Sequence, residues 1–112
     1  MDNLLIFIPK EIGNLINLQD LLLSVNLLKK IPQEIGNLNR LEDLSLSFNS
    51  LNSLPSEISN LNNLQRLYLN NNQLIYLPRQ IGNLNNLQGL YLKGNKLIIN
   101  DVPLNLRNIT DI

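Results

Sequence analysis

Leu41-Glu42-Asp43-Leu44-Ser45-Leu46-Ser47-Phe48-Asn49-Ser50-Leu51 decides the fold, because its spacing returns 23 residues later as Leu64-Gln65-Arg66-Leu67-Tyr68-Leu69-Asn70-Asn71-Asn72-Gln73-Leu74. The same pattern opens at Leu18 and at Leu87. Working outward, proline falls at Pro9, Pro32, Pro55 and Pro78, and asparagine at Asn3, Asn26, Asn49, Asn72 and Asn95. A second asparagine series falls at Asn14, Asn37, Asn60 and Asn83. Independent columns that agree on one period in this range mark a solenoid, in which each unit buries its apolar face only against its neighbours.

The unit reads L-x-x-L-x-L-x-x-N-x-L-x-x-[IL]-P-x-x-I-[GS]-N-L-x-x. Full copies span 18–40, 41–63 and 64–86. The fourth, 87–111, carries a two-residue insertion near 98–101, since Asp101 stands where proline is due and Pro103 follows late. Residues 1–17 are a partial copy, and Ile112 is expected as the first residue of a truncated one. The whole chain, 1–112, reads as one domain.

Each column has a physical task. The leucines at places four and six alternate with outward residues, the period of a half-buried strand. Stacked copies predict a parallel sheet of about four strands. Asparagine at place nine carries both an acceptor and a donor, which suits the buried backbone of a turn between units. Asn26, Asn49, Asn72 and Asn95 are therefore expected to form a structural ladder. Proline presets φ and opens a short helical turn. Gly13, Gly36 and Gly82 are expected where that turn ends, in left-handed geometry. Asparagines outside the columns, such as Asn62-Asn63 and Asn85-Asn86, read as free surface positions.

These residues resemble the leucine-rich repeat proteins. Ile31-Pro32-Gln33-Glu34-Ile35-Gly36-Asn37-Leu38 is similar to the 23-residue class of Ras-scaffold-type and many bacterial members. Plant receptor-kinase ectodomains share I-P-x-x-I-G-N-L but usually carry a G-x-I-P lead-in, where this chain has Lys29-Lys30-Ile31-Pro32. The resemblance covers essentially the whole chain. It implies an α/β fold: a right-handed leucine-rich repeat solenoid with a concave parallel β-sheet and short helical or 3-10 turns on the convex side. It also implies protein binding, without naming a ligand.

Composition narrows the function. The 9 basic and 9 acidic residues cancel, which argues against nucleic acid or an anionic membrane surface as partner. There is no histidine and no cysteine, which removes the usual general base, the thiol nucleophile and most transition-metal ligands. A non-enzymatic chain without cofactor or metal is expected. Absence of cysteine favours a cytoplasmic over a secreted setting. The start, Met1 to Pro9, has no basic n-region and too short an apolar run for a signal peptide, and no stretch is long enough for a membrane span.

The candidate site is the outward side of the strands. Its fifth place reads Leu22, Ser45, Tyr68, Tyr91, ending in two adjacent tyrosines, a residue type enriched in interfaces. Charges segregate, with Asp20, Glu42 and Asp43 early and Arg66 and Lys93 late. The expected partner-binding set is Tyr68, Tyr91, Arg66, Asp43, Leu22, Phe48 and Lys93. The alternative is that tyrosines simply suit strands and that Asp43 and Arg66 neutralise each other. Ile6-Phe7, Ile75-Tyr76 and Ile98-Ile99 form an apolar flank, read either as partly buried under neighbouring units or as a second contact surface. The leading function is a protein-protein interaction module, with signalling as its expected setting. Two others stay open: a self-associating segment of a longer array, joined through its apolar N-terminal edge, and a receptor or host-interaction fragment.

Overall fold

The computed structural model describes residues 4–112, so Asn3, expected in the asparagine column, lies outside the described residues. Five strands form one parallel sheet in the order β1-β2-β3-β4-β5: β1 Asp20–Leu22, β2 Asp43–Ser45, β3 Arg66–Tyr68, β4 Gly89–Tyr91 and β5 Thr110–Asp111. Through the first four, each residue pairs with the one a full period later, as in Asp20↔Asp43↔Arg66↔Gly89. The alternation in the sequence becomes a two-sided sheet. Leu44, Leu67 and Leu90 are fully buried, while Asp43, Ser45, Arg66 and Tyr68 stand on the other side, half-exposed.

Opposite the sheet run 3-10 turns at Lys10–Asn14, Gln33–Asn37, Ser56–Asn60 and Arg79–Asn83. Each follows a proline held extended, with φ between −69° and −62°. The proline carbonyl accepts from the isoleucine N–H three residues on, at 3.0–3.1 Å. The missing proline N–H would have found no partner at a helix start, so it costs nothing. Ile35, Ile58 and Ile81 thereby point from the turns into the leucines of the sheet, and the core is a continuous layer between them. The body measures 37 × 28 × 18 Å.

Three sequence expectations are corrected here. The turn glycines are not left-handed: among the described residues the only glycine with positive φ is Gly94. Gly36 is needed because the next turn passes so close that a Cβ would lie 2.6 Å from the Glu57 carbonyl oxygen, and at Gly13 the equivalent contact with Glu34 is 2.9 Å. Gly82 faces the displaced Pro103 at a looser 3.3 Å. Turn-to-turn distance, not backbone conformation, selects glycine at this place.

The second correction concerns the last strand. Ile112 was expected at place one of a further unit, but Thr110 pairs with Leu90 and Asp111 with Tyr91. Thr110 therefore stands at place four and Ile112 at place six. The 3-10 turn Leu104–Ile109 is one residue longer than the others and runs directly into β5, omitting the loop that elsewhere precedes the strand. The Thr110 hydroxyl donates to the Leu106 carbonyl at 2.6 Å and tightens that junction. The insertion near 98–101 forms its own 3-10 turn, Ile99–Asp101, whose Asp101 carboxylate accepts from the Ile98 N–H at 2.9 Å.

Third, some of the asparagines read as free are bridges. Asn63 donates to the Asn39 carbonyl at 2.6 Å and Asn86 to the Asn62 carbonyl at 2.7 Å. Asn105 donates to the Gly82 carbonyl at 2.9 Å. These exposed amides tie consecutive units together a second time.

Candidate functional site

The place-nine asparagines set the end of each strand. Asn49 accepts from the Leu28 N–H at 3.0 Å and donates to the carbonyls of Leu23 and Leu46 at 3.0 Å each. Asn72 repeats this with the Leu51 N–H and the carbonyls of Leu46 and Leu69. Asn95 repeats it with Leu74, Leu69 and Leu92. Asn26 accepts from Leu5 at 2.8 Å and donates to Leu23. The amides do not bond one another. Each closes its own loop and brackets the unit before it, so the ladder runs through the backbone. Asn49 and Asn72 are buried, and no buried side-chain polar atom lacks a partner among the described residues.

The bracket holds place eight in a conformation that the sequence did not signal. Val25, Phe48 and Asn71 have φ of 60°, 56° and 60°, and Gly94 has 78°. Asparagine and glycine accept the left-handed region readily, whereas a β-branched valine and a bulky phenylalanine are outliers there. The column mixes suited and unsuited residues, so no periodic glycine or asparagine betrayed it.

On the open side of the sheet the expected set falls into two groups. Tyr68 and Tyr91 stack with ring centroids 4.6 Å apart and planes within 6°. Gly89 makes room for them, because a Cβ there would sit 2.9 Å from the Tyr91 ring. Gly89 has no side chain, so the sequence carries no sign of this role. Beside the stack, the Arg66 guanidinium donates to both Asp43 carboxylate oxygens, at 2.6 and 3.2 Å. That hydrogen bond holds the Asp43 carboxyl below its usual range and raises Arg66. Asp20, opposite Asp43 in the register, is pushed up first by hydrogen bonding to that carboxyl and then by desolvation and its charge. Lys93 pairs with Asp111 at 3.4 Å.

The second group lies nearer β1. Leu22, Val25 and Phe48 are exposed on the same side as the tyrosines. Ser24 and Ser45 share a short hydroxyl–hydroxyl hydrogen bond between them, and Ser47 donates to the Asn70 side-chain oxygen at 2.5 Å. The structure thus brings Tyr68 and Tyr91, and Arg66 and Asp43, into direct contact. Leu22 and Phe48 stand apart from both pairs. The apolar flank is not buried: Ile6, Phe7, Ile75, Tyr76, Ile98 and Ile99 are all exposed. Asn62 and Asn85 are exposed as well.

No group of three or more carboxylates among the described residues could hold a metal ion. On the open face Asp43 is paired with Arg66 and Lys93 with Asp111, and much of the remaining surface is aromatic, apolar and amide. No helix among the described residues is long and apolar enough to cross a membrane.

The sequence profile of the leucine-rich repeat region matches residues 7–111. The chain belongs to the leucine-rich repeat family. Its sheet is the concave layer of that fold and its 3-10 turns are the convex one. Among solved structures, a leucine-rich repeat protein of Leptospira interrogans is 47% identical with a TM-score of 0.85, over 88% of this chain and 25% of that one. The leucine-rich repeat ectodomain of an Arabidopsis thaliana membrane receptor kinase, solved in complex with Casparian strip integrity factor 2, is 39% identical with a TM-score of 0.74. That likeness covers 80% of this chain and 11% of the ectodomain. Internalin C2 of Listeria monocytogenes is 25% identical with a TM-score of 0.77, over 95% of this chain and 45% of that one. This leucine-rich repeat chain therefore spans less than half the length of each of these relatives. No curated protein sequence matches it.

Proposed function

We propose that this leucine-rich repeat chain is a non-enzymatic interaction module that binds a protein partner on its concave face. The observation that carries the reading is the Tyr68–Tyr91 stack, a half-exposed aromatic platform set on paired strands, with the Asp43–Arg66 pair on the same face of the sheet. Large aromatic surfaces held in place lose little entropy on binding and dominate interface energetics. Leu22, Phe48 and Lys93 add further exposed surface to the same face, apart from the stack. The plant ectodomain solved in complex with Casparian strip integrity factor 2 supports a polypeptide as the class of ligand. The cysteine-free composition fits a cytoplasmic role in signalling, which the location of the tagged natural protein tests.

The test is a pull-down followed by affinity measurement on concave-face variants. Tyr68→Ala and Tyr91→Ala are expected to weaken the partner by about 1–3 kcal/mol each. A partner that ignores both substitutions and responds to Ile75→Ser or Ile98→Ser would place the site on the convex flank instead.

A second reading, a self-associating segment of a longer array, is favoured by the exposed Leu4, Leu5, Ile6 and Phe7 beside β1. Solution mass by light scattering separates the two.

A further inference from the structure

The zero net charge of the chain conceals a separation. The segments that lead from each asparagine bracket into the next 3-10 turn are residues 4–10, 27–33, 50–56, 73–79 and 96–104. They carry five basic residues, Lys10, Lys29, Lys30, Arg79 and Lys96, against one acidic residue, Asp101. All five cations are exposed, and none has an ion pair among the described residues. Asp101 is turned back on its own backbone, accepting from the Ile98 N–H at 2.9 Å. Most of the other carboxylates stand on other faces: Asp20, Glu42 and Asp43 on or beside the strands, and Glu11, Glu34 and Glu57 within the convex turns.

The same segments form one flank. The N–H groups of Leu27, Ser50, Gln73 and Lys96 donate in turn to the carbonyls of Leu5, Leu28, Leu51 and Leu74, at 2.8–3.0 Å. That ladder stacks the segments in register. The pairs that follow each leucine of this column therefore stand in file: Ile6-Phe7, Lys29-Lys30, Asn52-Ser53, Ile75-Tyr76 and Ile98-Ile99. Apolar pairs at both ends bracket the lysine pair. They are not folded onto the core: Ile75 is 60% exposed, Tyr76 53% and Ile98 62%.

Exposed apolar surface of this kind marks contact with a protein or a membrane. The relief of the flank chooses between them. An amphipathic helix is received in a groove that takes its side chains. The hollows on this flank are one of about 190 Å³ lined by Lys30, Ser53 and Pro55, and a separate one of about 310 Å³ around Arg79 and Leu104. Ile75, Tyr76 and Ile98 line neither, so they stand out from the surface instead of walling a cleft. Protruding apolar groups beside basic ones suit a bilayer surface, where the first enter the headgroup layer and the second meet anionic lipid. Tyrosine is at home at that depth. No helix among the described residues is long and apolar enough to cross, so the contact is with the surface.

We propose that this flank docks the chain onto an anionic lipid bilayer, with Ile75, Tyr76 and Ile98 entering the headgroup layer and Lys29, Lys30 and Lys96 meeting anionic headgroups. The inference goes beyond the protein-binding reading and uses a different surface from the concave face.

The probe is co-sedimentation of the full chain with vesicles of equal parts phosphatidylcholine and phosphatidylserine, and with vesicles of phosphatidylcholine alone. The mixed vesicles are expected to bind at least tenfold more tightly, and the advantage to shrink in high salt. Lys29→Glu with Lys30→Glu, and separately Ile75→Ser with Ile98→Ser, are each expected to weaken binding at least tenfold. All four residues are exposed, so an unchanged melting temperature excludes unfolding as the cause. Arg40→Glu, an exposed cation off the flank, is expected to leave binding nearly unchanged. Equal binding of the two vesicle types, no binding to either, unchanged affinity in either double variant, or an equal loss in Arg40→Glu overturns the inference and leaves the concave-face function standing. Vesicle binding lost in Tyr68→Ala but kept in Ile75→Ser with Ile98→Ser puts the lipid on the concave face and likewise overturns it. A protein partner whose affinity ignores Tyr68→Ala and falls in both double variants assigns the flank to an acidic polypeptide and overturns both readings.

Discussion

Tyr91 lies flat on Tyr68, rings 4.6 Å apart and within 6° of parallel, and it does so across the gap left by Gly89. The stack is a property of three residues on two strands. Gly89→Ala places a methyl group 2.9 Å from the Tyr91 ring and forces it off its partner. Overpacking of this kind costs about 1–3 kcal/mol. The ring is half-exposed and can swing outward, so the lower end is expected here. The tyrosine bands of near-ultraviolet circular dichroism should lose intensity while the far-ultraviolet spectrum is unchanged. Unaltered tyrosine bands would show that the stack does not depend on Gly89.

The asparagine brackets are expected to dominate the stability of the stack. Asn49→Ala and Asn72→Ala each leave the N–H of the preceding unit without a partner and take one of two asparagine donors from each of two strand carbonyls. Buried groups left unpaired cost about 1–3 kcal/mol. Asn62→Ala removes a side chain that makes no hydrogen bond among the described residues and should stay within roughly 0.5 kcal/mol. Asn86→Ala breaks an exposed bridge and should fall between them. Urea midpoints rank the four, and equal midpoints would remove the bracket as the source of stability.

The repeat period made the strands legible, because Leu44, Leu67 and Leu90 cannot leave the core without breaking the register of every neighbour. The Asp43–Arg66 pair was legible for the same reason: one column on adjacent strands means contact. The left-handed place was not, since Val25 and Phe48 give no sign of it and only Asn71 and Gly94 do. The early β5 was hidden too. Counting forward from Pro103 assumes a loop that the longer turn Leu104–Ile109 leaves out. Gly36 was assigned by its usual conformational role, whereas its actual constraint, the Glu57 carbonyl of the next unit, exists only after the units stack.

Relief of left-handed strain should have a definite sign. A left-handed L-residue other than asparagine or glycine costs about 1–2 kcal/mol. Val25→Gly and Phe48→Asn should therefore raise the melting temperature, and Asn71→Val should lower it. The exposed apolar surface lost at Phe48 contributes little to folding, so it does not offset the gain. A lower melting temperature for both Val25→Gly and Phe48→Asn would contradict the backbone assignment.

The acidic end of the place-three column should give opposite pH responses at neighbouring residues. The folded pKa of Asp43 is lowered by Arg66, so its contribution is present at neutral pH and is lost as pH falls through that lowered value. The folded pKa of Asp20 is raised by Asp43, so its charged form opposes folding at neutral pH, and that cost disappears as pH falls through the raised value. Asp43→Asn should therefore destabilise at neutral pH and converge with wild type in acid. Asp20→Asn should stabilise at neutral pH and likewise converge. Both effects are between exposed groups and should shrink in high salt. Urea midpoints across pH at two salt concentrations check the signs, and a destabilised Asp20→Asn at neutral pH would contradict the raised pKa of Asp20.

The last prediction concerns the edge beside β1. Leu5 is held by the same bracket as the interior units: its N–H donates to Asn26 and its carbonyl accepts from Leu27, each at 2.8 Å. Ile8 is buried beneath it. That tie fixes the backbone but leaves Leu4, Leu5, Ile6 and Phe7 exposed, joined by Leu15, Ile16 and Leu27. The opposite edge carries charged groups: the Arg107 guanidinium folds back to donate to the Val102 carbonyl at 3.0 Å and Lys93 reaches Asp111, beside the exposed Leu104. Sheet edges with apolar surroundings pair with other chains unless blocked. This chain is therefore expected to associate through the β1 edge at about 100 μM, within the range where such surfaces aggregate. Leu4→Lys and Phe7→Lys should lower the solution mass without lowering the melting temperature, because neither side chain is in the core. Tyr76→Lys, on the flank away from that edge, should leave the mass unchanged. A clean monomer for the unsubstituted chain at that concentration would show that this edge, despite its apolar surface, does not recruit a second copy.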